Sequence, residues 1–353
     1  MPSTIPFERF ALAPDLTICR IVNGMWQVSG GHGRIDREQA LSAMAAHVDD
    51  RFTTWDLADH YGPAEDLVGE FRRRRTVADG ELALEHLEFC TKWVPRPGPM
   101  PMSVVQNAID ISRRRMASPR LDLLQLHWWD YSDRRYLDAL AYLADLREAG
   151  SIRHLALTNF DTERLAEILE RRMPIVSNQV QFSLIDRRPE VRMGPFCSGR
   201  GVHLLAYGTA CGGLLSERYL HQSEPRASAL DTVSLRKYKQ MVDAWGGWRL
   251  FQELLAALDQ VARRHAVGIR ACRQTPHRAG PRIDEGRVRR APTRKGVPYA
   301  SSRPAGRGES DAGRDPGDVL LRGRVRRLDA YGEPRRRHRR EPRGAAGEVS
   351  AER

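Results

Sequence analysis

At 353 residues, with 41% hydrophobic and 29% charged side chains, the chain has the length of one large domain or two ordinary ones and a soluble, globular balance. No apolar run reaches the ~18 residues of a membrane-spanning helix, and residues 1–8 lack the basic-then-apolar layout of a signal peptide. The formal charge of +12 is unevenly placed, because residues 1–269 carry 34 basic and 34 acidic side chains while residues 270–353 carry 23 and 11. Cys19, Cys90, Cys197, Cys211 and Cys272 are odd in number and have no C-x-x-C spacing. Reduced thiols in a cytoplasmic protein without a metal site are therefore expected.

From residue 20 to 210, strand-like and helix-like segments alternate. Apolar runs predict buried strands over 21–28, 52–55, 87–91, 121–126, 152–157, 175–180 and 202–206. Periodicity of 3.6 residues predicts helices over 37–48, 64–75, 103–116, 136–149 and 162–171. Ser103 and Asp161-Thr162-Glu163 supply helix starts, and Gly150 supplies a stop. Arg72 to Arg75 and Arg113 to Arg115 fall at predicted helix ends, where solvated charge suits the dipole. The alternation is that of an α/β fold with a parallel sheet. An open doubly wound sheet would announce a G-x-G-x-x-G turn after its first strand, whereas Ser29-Gly30-Gly31-His32-Gly33 follows here. A (β/α)8 TIM-type barrel is the expected architecture, with seven strands readable and the eighth missing or replaced.

Three successive strands deliver ionisable side chains at their C-terminal ends, where barrel enzymes place their chemistry. Asp56 closes the second, Lys92 the third and His127 the fourth, while Tyr61 follows Asp56 by five residues in Asp56-Leu57-Ala58-Asp59-His60-Tyr61-Gly62. A tyrosine acts as a general acid near neutral pH only if its proton is made easier to lose, and a neighbouring ammonium does that by favouring phenolate. A carboxylate then holds the ammonium charged and oriented, and a histidine can fix a carbonyl oxygen. Singly, each residue has a plain alternative: a helix-capping Asp, a surface Lys, a structural His. Trp26, Trp93, Trp128 and Trp129 either wall a pocket above these residues or pack over the rim as structure. Asp59 and His60 are read as bordering the site.

The order and context of these residues resemble the aldo-keto reductase family, and the resemblance runs over about residues 15–268. It implies Tyr61 as proton donor, Lys92 and Asp56 as its tuning pair and His127 as the carbonyl anchor. Leu157-Thr158-Asn159-Phe160 and Ser177-Asn178-Gln179-Val180-Gln181 resemble the family's fifth and sixth strand ends. On that likeness Thr158, Asn159 and Gln179 meet a nicotinamide carboxamide, with Thr158 standing where the family has serine. Leu205-Ala206-Tyr207-Gly208 resembles the seventh strand end, which puts the Tyr207 ring on the nicotinamide. Gly208, Gly212 and Gly213 then belong to the loop over the pyrophosphate. The implied activity is reduction of an aldehyde or ketone with NADP(H), NAD(H) not being excluded, or the reverse alcohol oxidation. A catalytically inactive nucleotide-binding or interaction protein is the alternative.

The likeness ends near residue 268, inside an expected passage between helices. Residues 269–353 are rich in Arg, Pro and Gly, hold 19 Gly and Pro after position 269, and show no matching eighth strand or adenosine-binding segment. Too little apolar surface is present there to offset ordering entropy, so the sequence predicts a disordered basic tail beside a barrel over 1–268. An out-of-frame translation would produce such an abrupt change; a genuine polyanion-binding extension is the rival. Only Tyr299 and Tyr331 are available for base stacking, so nucleic acid is not an expected partner. A small-molecule carbonyl compound is, and a membrane is not.

Overall fold

Seven parallel strands lie in chain order across one curled sheet, which is the simplest outcome of repeated right-handed strand–helix–strand units. The computed structural model describes residues 8–270. A hairpin of β1 (Arg9–Ala13) and β2 (Leu16–Cys19) precedes the sheet. The sheet itself runs β3 (Asn23–Gly24), β4 (Thr54–Asp56), β5 (Glu88–Trp93), β6 (Leu121–His127), β7 (Ile152–Thr158), β8 (Ile175–Gln181) and β9 (His203–Tyr207). Helices α1 (Arg37–Asp49), α2 (Ala64–Asp79), α3 (Met102–Arg115), α4 (Tyr136–Glu148) and α5 (Thr162–Glu170) connect β3 through β8. Two short helices, α6 (Arg188–Val191) and α7 (Met193–Ser198), lead to β9, and α8 (Val233–Trp245) and α9 (Gly247–Arg264) follow it.

Period-two patterning divides the strand residues into two sets. Phe89, Leu124, Leu126, Leu155 and Leu157 pack outward with Leu67, Val105, Leu140 and Leu165 of the helices. The inward set begins apolar and ends polar: Cys90 then Lys92, Leu123 then Gln125 and His127, Ala156 then Thr158. Its apolar beginning is closed by the hairpin, whose Leu12, Ala13, Leu16 and Ile18 cluster with Cys90, Leu123 and Ala156. Arg9 fastens β1 to the Glu88 carboxylate and donates to Thr53 Oγ1 at 2.6 Å. Asp15 in the hairpin turn takes Arg153 Nε at 2.8 Å and meets His154 Nε2 at 2.6 Å.

Most predicted elements are present within a few residues. Asp161 caps α5 by accepting from Arg164 N, and Gly150 takes the left-handed φ of +80° just after α4. The strand predicted over 21–28 is only Asn23–Gly24, because Trp26–Ser29 turns into a 3-10 helix that ends at Gly30 with φ +92°. Arg72 to Arg75 lie inside α2 rather than at its end. Arg72 is half-buried, with its guanidinium 5.7 Å from the Phe89 ring centre, and burial lowers its pKa. The hairpin and helices α6 to α8 were not anticipated, and α9 is the helix expected, without bounds, before the passage near residue 268.

Strands β3 and β9 each pair on one side only among the described residues. Six of the seven β8 residues are buried, whereas none of the five β9 residues is. The predicted tail and the question of an eighth strand lie outside the described residues, except for Ile269 and Arg270. Ile269 is fully buried with Leu214, Leu215 and Phe251, one position beyond the predicted boundary.

Two packing features yield measurable expectations. A Cβ on Gly69 of α2 would stand 1.9 Å from the Arg115 carbonyl oxygen at the end of α3. Gly69→Ala must push the two helices apart and cost about 1–3 kcal/mol, seen as a melting drop of roughly 2–4 °C per kcal/mol. The Arg153 hydrogen bond, with His154 beside it, holds the Asp15 carboxyl down at about 2. A carboxyl depressed in the folded state stabilises above its unfolded value of about 3.9, and that contribution is lost as pH falls through the folded value. Asp15→Asn should therefore cost up to about 1 kcal/mol at neutral pH, and the gap in urea unfolding should close as pH drops from about 4 to about 2.

Candidate active site

The polar ends of the inward strand faces converge on one ion pair. Lys92 Nζ is 2.5 Å from Asp56 Oδ2 and donates to the Leu57 carbonyl at 3.1 Å. Its side chain is 2% exposed and that of Asp56 is 18%, so water reaches the pair from the carboxylate side. The second carboxylate oxygen, Oδ1, accepts from Gln125 Nε2 at 2.9 Å and from Gln179 Nε2 at 2.8 Å. Three strands besides β4 thus spend a side chain on orienting Asp56. A buried pair is tolerable only when its remaining lone pairs and protons are met in this way.

Tyr61 follows β4 in a tight loop and stands beside this pair, with Lys92 Nζ 5.2 Å from its ring centre. Trp26 meets it edge-on at 5.1 Å and His60 at 4.9 Å. The loop closes tightly because Gly62 takes a left-handed φ of +52°, and a Cβ there would lie 3.3 Å from Ser29 Cα. Asp59 steadies the same loop: one oxygen accepts from Val94 N at 3.1 Å and the other lies 3.0 Å from His60 Nδ1.

His127 ends β6 with 6% exposure, stacked on Trp129 at 4.6 Å between ring centres. Its Nε2 lies 3.2 Å from Asn159 Nδ2, and Asn159 Oδ1 accepts from the Tyr207 hydroxyl at 3.0 Å. Asn159 itself takes φ +62°, a conformation that asparagine tolerates better than most residues. Its carbonyl accepts from Tyr131 OH at 3.0 Å, which anchors the strained turn. All four expected catalytic side chains, Asp56, Tyr61, Lys92 and His127, therefore stand at one end of the sheet.

The residues expected to hold a cofactor gather along β7 to β9. Thr158 is 2% exposed, and its Oγ1 has no hydrogen-bond partner among the described residues. Asn159 and Gln179 are engaged with protein groups as described. Tyr207 lies at the end of β9, with Lys237 Nζ of α8 5.3 Å from its ring centre. Gly208 and Gly212 have positive φ, and a Cβ would be 2.3 Å from Tyr238 OH at the first and 2.9 Å from the Ser234 carbonyl at the second. Their bareness thus serves the packing of α8, while at Gly213 nothing lies within 4 Å of a Cβ position.

Gln125 is the member of this cluster that the sequence reading missed. It sits two positions before His127, hence on the same strand face, and a lone glutamine inside Leu123-Leu124-Gln125-Leu126 was the available signal. Of the four tryptophans, Trp93 and Trp128 are buried at 5% exposure, and Trp128 Nε1 is bonded to the Asp130 and Asp133 carbonyls. Trp26 and Trp129 are the two that face the site. Burial, and next the Asp56 carboxylate, push the Cys90 thiol well up, so it is an inert core group.

The family model described as "Aldo/keto reductase family" matches residues 20–272. Flagellar radial spoke protein 5 of Chlamydomonas reinhardtii is 26% identical over 246 residues, covering 60% of this chain and 46% of that protein. Protein tas of Escherichia coli is 29% identical over 184 residues, covering 46% and 51%. The chain thus spans about half the length of these curated relatives. Among solved structures, the glycerol dehydrogenase AKR11B4 from Gluconobacter oxydans superposes with a TM-score of 0.60 at 20% identity, over 73% of this chain and 79% of that one. This likeness supports the (β/α)8 barrel class for the curled seven-stranded sheet.

Because Lys92 is nearly inaccessible, removing its counter-ion should be costly. Asp56→Asn keeps the shape but strands the ammonium, and about 3 kcal/mol of stability should be lost, near the low end for a broken buried pair. Urea unfolding of the variant beside the unaltered chain measures this.

Proposed function

Because the chain belongs to the aldo/keto reductase family, we propose that it is a nicotinamide-dependent oxidoreductase acting on small carbonyl compounds. The proposed direction is reduction of an aldehyde or ketone with NADP(H), with NAD(H) also admitted, or the reverse oxidation of an alcohol. The observation that carries this reading is the buried Lys92–Asp56 pair beside the Tyr61 ring, with His127 ending the β6 strand nearby.

The residues present fit a nicotinamide nucleotide. Thr158 Oγ1 is a buried hydroxyl without a partner among the described residues, the kind of group that a carboxamide would satisfy. Asn159 and Gln179 flank it across β7 and β8, and would exchange part of their present bonding for the same ligand. Tyr207 offers a ring face, and the backbone of Gly208, Gly212 and Gly213 offers the approach for phosphates, with Gly213 the least obstructed. When bound, this group supplies the hydride.

The chain's own residues supply the proton and the field. As hydride reaches the carbonyl carbon, Tyr61 gives its hydroxyl proton to the carbonyl oxygen. The Lys92 ammonium stabilises the phenolate that remains, and Asp56 keeps Lys92 charged and fixed. His127, as the Nε2–H tautomer, donates to the same oxygen in place of its contact with Asn159. Gln125 and Gln179 act through Asp56 as positioning residues.

Tyr61→Phe should lower kcat by about 10²–10⁴-fold while the cofactor Kd, read by nicotinamide fluorescence, changes little. Unchanged turnover would discard Tyr61 as the donor. Cofactor binding by the unaltered chain without turnover of any of a broad aldehyde panel would replace the enzyme reading with a binding protein.

A further inference from the structure

His127 and Tyr207 end two strands that are not neighbours, β6 and β9, yet one side chain ties them together. Asn159, just past β7, accepts the Tyr207 hydroxyl at Oδ1 over 3.0 Å, and its Nδ2 lies 3.2 Å from His127 Nε2. The link is held from several directions. Asn159 N–H donates to the Gln179 carbonyl at 2.8 Å, and the Asn159 carbonyl accepts from Tyr131 OH at 3.0 Å. The His127 ring is stacked on Trp129, with 29° between the planes. His127 and Asn159 are both buried, so water competes poorly for these bonds.

The amide has a direction, and that direction reaches the histidine. An amide oxygen only accepts and an amide nitrogen only donates. With Oδ1 turned to the phenol, Nδ2–H points at Nε2, which must then accept, and the proton of the neutral imidazole is placed on Nδ1. Turning the amide round would reverse both roles: Nε2 would carry the proton, and the phenol would accept from Nδ2. Lys237 opposes that alternative. Its Nζ is 5.3 Å from the Tyr207 ring centre, and positive charge there favours the phenol as donor over the phenol as acceptor.

We infer that Tyr207 is a positioning residue for His127. Through the Asn159 amide, its hydroxyl decides which imidazole nitrogen carries the proton, and in the free protein it sets that proton on Nδ1. The catalytic meaning rests on the oxidoreductase reading above, in which Nε2–H donates to the carbonyl oxygen. In the free protein Nε2 presents a lone pair instead, so an approaching carbonyl oxygen meets lone pair against lone pair. The donor becomes available only when Asn159 gives up its contact. The hydroxyl of Tyr207, and not its ring alone, thus has a part in the site.

Selective 15N labelling of histidine in the full chain tests this, because protonated and unprotonated ring nitrogens resonate far apart. The His127 signals are assigned by their loss in His127→Gln. Spectra are taken without nucleotide or substrate at about pH 8.5, above the ordinary histidine value of about 6.5. In the unaltered chain the Nδ1–H form should exceed the Nε2–H form by about tenfold, the weight of one hydrogen bond. Tyr207→Phe keeps the ring and frees the amide to turn, so that ratio should fall several-fold. Asn159→Asp keeps the shape, tolerates the same backbone and offers oxygen at both ends, so Nε2 should become protonated. A proton on Nε2 in the unaltered chain, a ratio unmoved by Tyr207→Phe, or an unprotonated Nε2 in Asn159→Asp each overturns the inference. The spectra involve no turnover, so the two readings fail separately. A chain that turns over no carbonyl compound but shows this tautomer pattern retains the Tyr207 assignment and discards the oxidoreductase reading.

Discussion

A charged amine almost wholly removed from water is the constraint around which this end of the barrel is arranged. Lys92 is 1% exposed overall, and an ammonium in that position is sustained only by a partner that is itself well placed. Asp56 is that partner, and its free oxygen would be a second liability without the amides of Gln125 and Gln179. β4, β5, β6 and β8 are thereby locked in register at their C-terminal ends by side chains as well as by backbone bonds. The same tight geometry that stabilises the ion pair puts positive charge beside Tyr61.

The opposite end of the sheet shows how the chain makes that polarity affordable to the fold. Inward positions at the strand beginnings are Cys90, Leu123 and Ala156, and the hairpin presses Leu12, Leu16 and Ile18 against them. Outside, the helices seal Phe89, Leu126 and Leu157. Even the carboxylates at that end are tied in: Glu88, whose pKa burial raises, accepts from Thr54 Oγ1 at 2.8 Å and pairs with Arg9. The polar centre is therefore a local exception surrounded by apolar packing on two sides.

Much of this was legible in the sequence, for reasons that differ by element. Strands buried on both faces read as continuous apolar runs, so β5 to β8 were located well, and a charged or ionisable residue ending such a run was conspicuous at Asp56, Lys92 and His127. Helix caps with a local signature, Asp161 and Gly150, were equally plain. The hairpin was missed because Arg9–Ala13 and Leu16–Cys19 are short, and only their position under the barrel explains their burial. Helix α8 was missed and α9 had no bounds because the reading rested on alternation with strands, and two helices in succession break it. Gln125 escaped because its role depends on a partner 69 positions away, which no local pattern reveals. The glycines at 212 and 213 were read as cofactor approach, and the bare backbone at 208 and 212 also admits the close packing of α8.

One contact gives the site a temporal as well as a spatial limit. His32 Nε2, in the loop after β3, lies 2.9 Å from Ser234 Oγ at the start of α8, and Val233 N donates to the Gly31 carbonyl at 3.4 Å. The residues in that hydrogen bond are 202 positions apart in sequence. The first loop is thus synthesised 202 positions ahead of the helix that covers it, and the pocket acquires its roof only once the chain has passed β9. A chain arrested before α8 leaves His32 and Gly31 without these partners and the first loop without its cover.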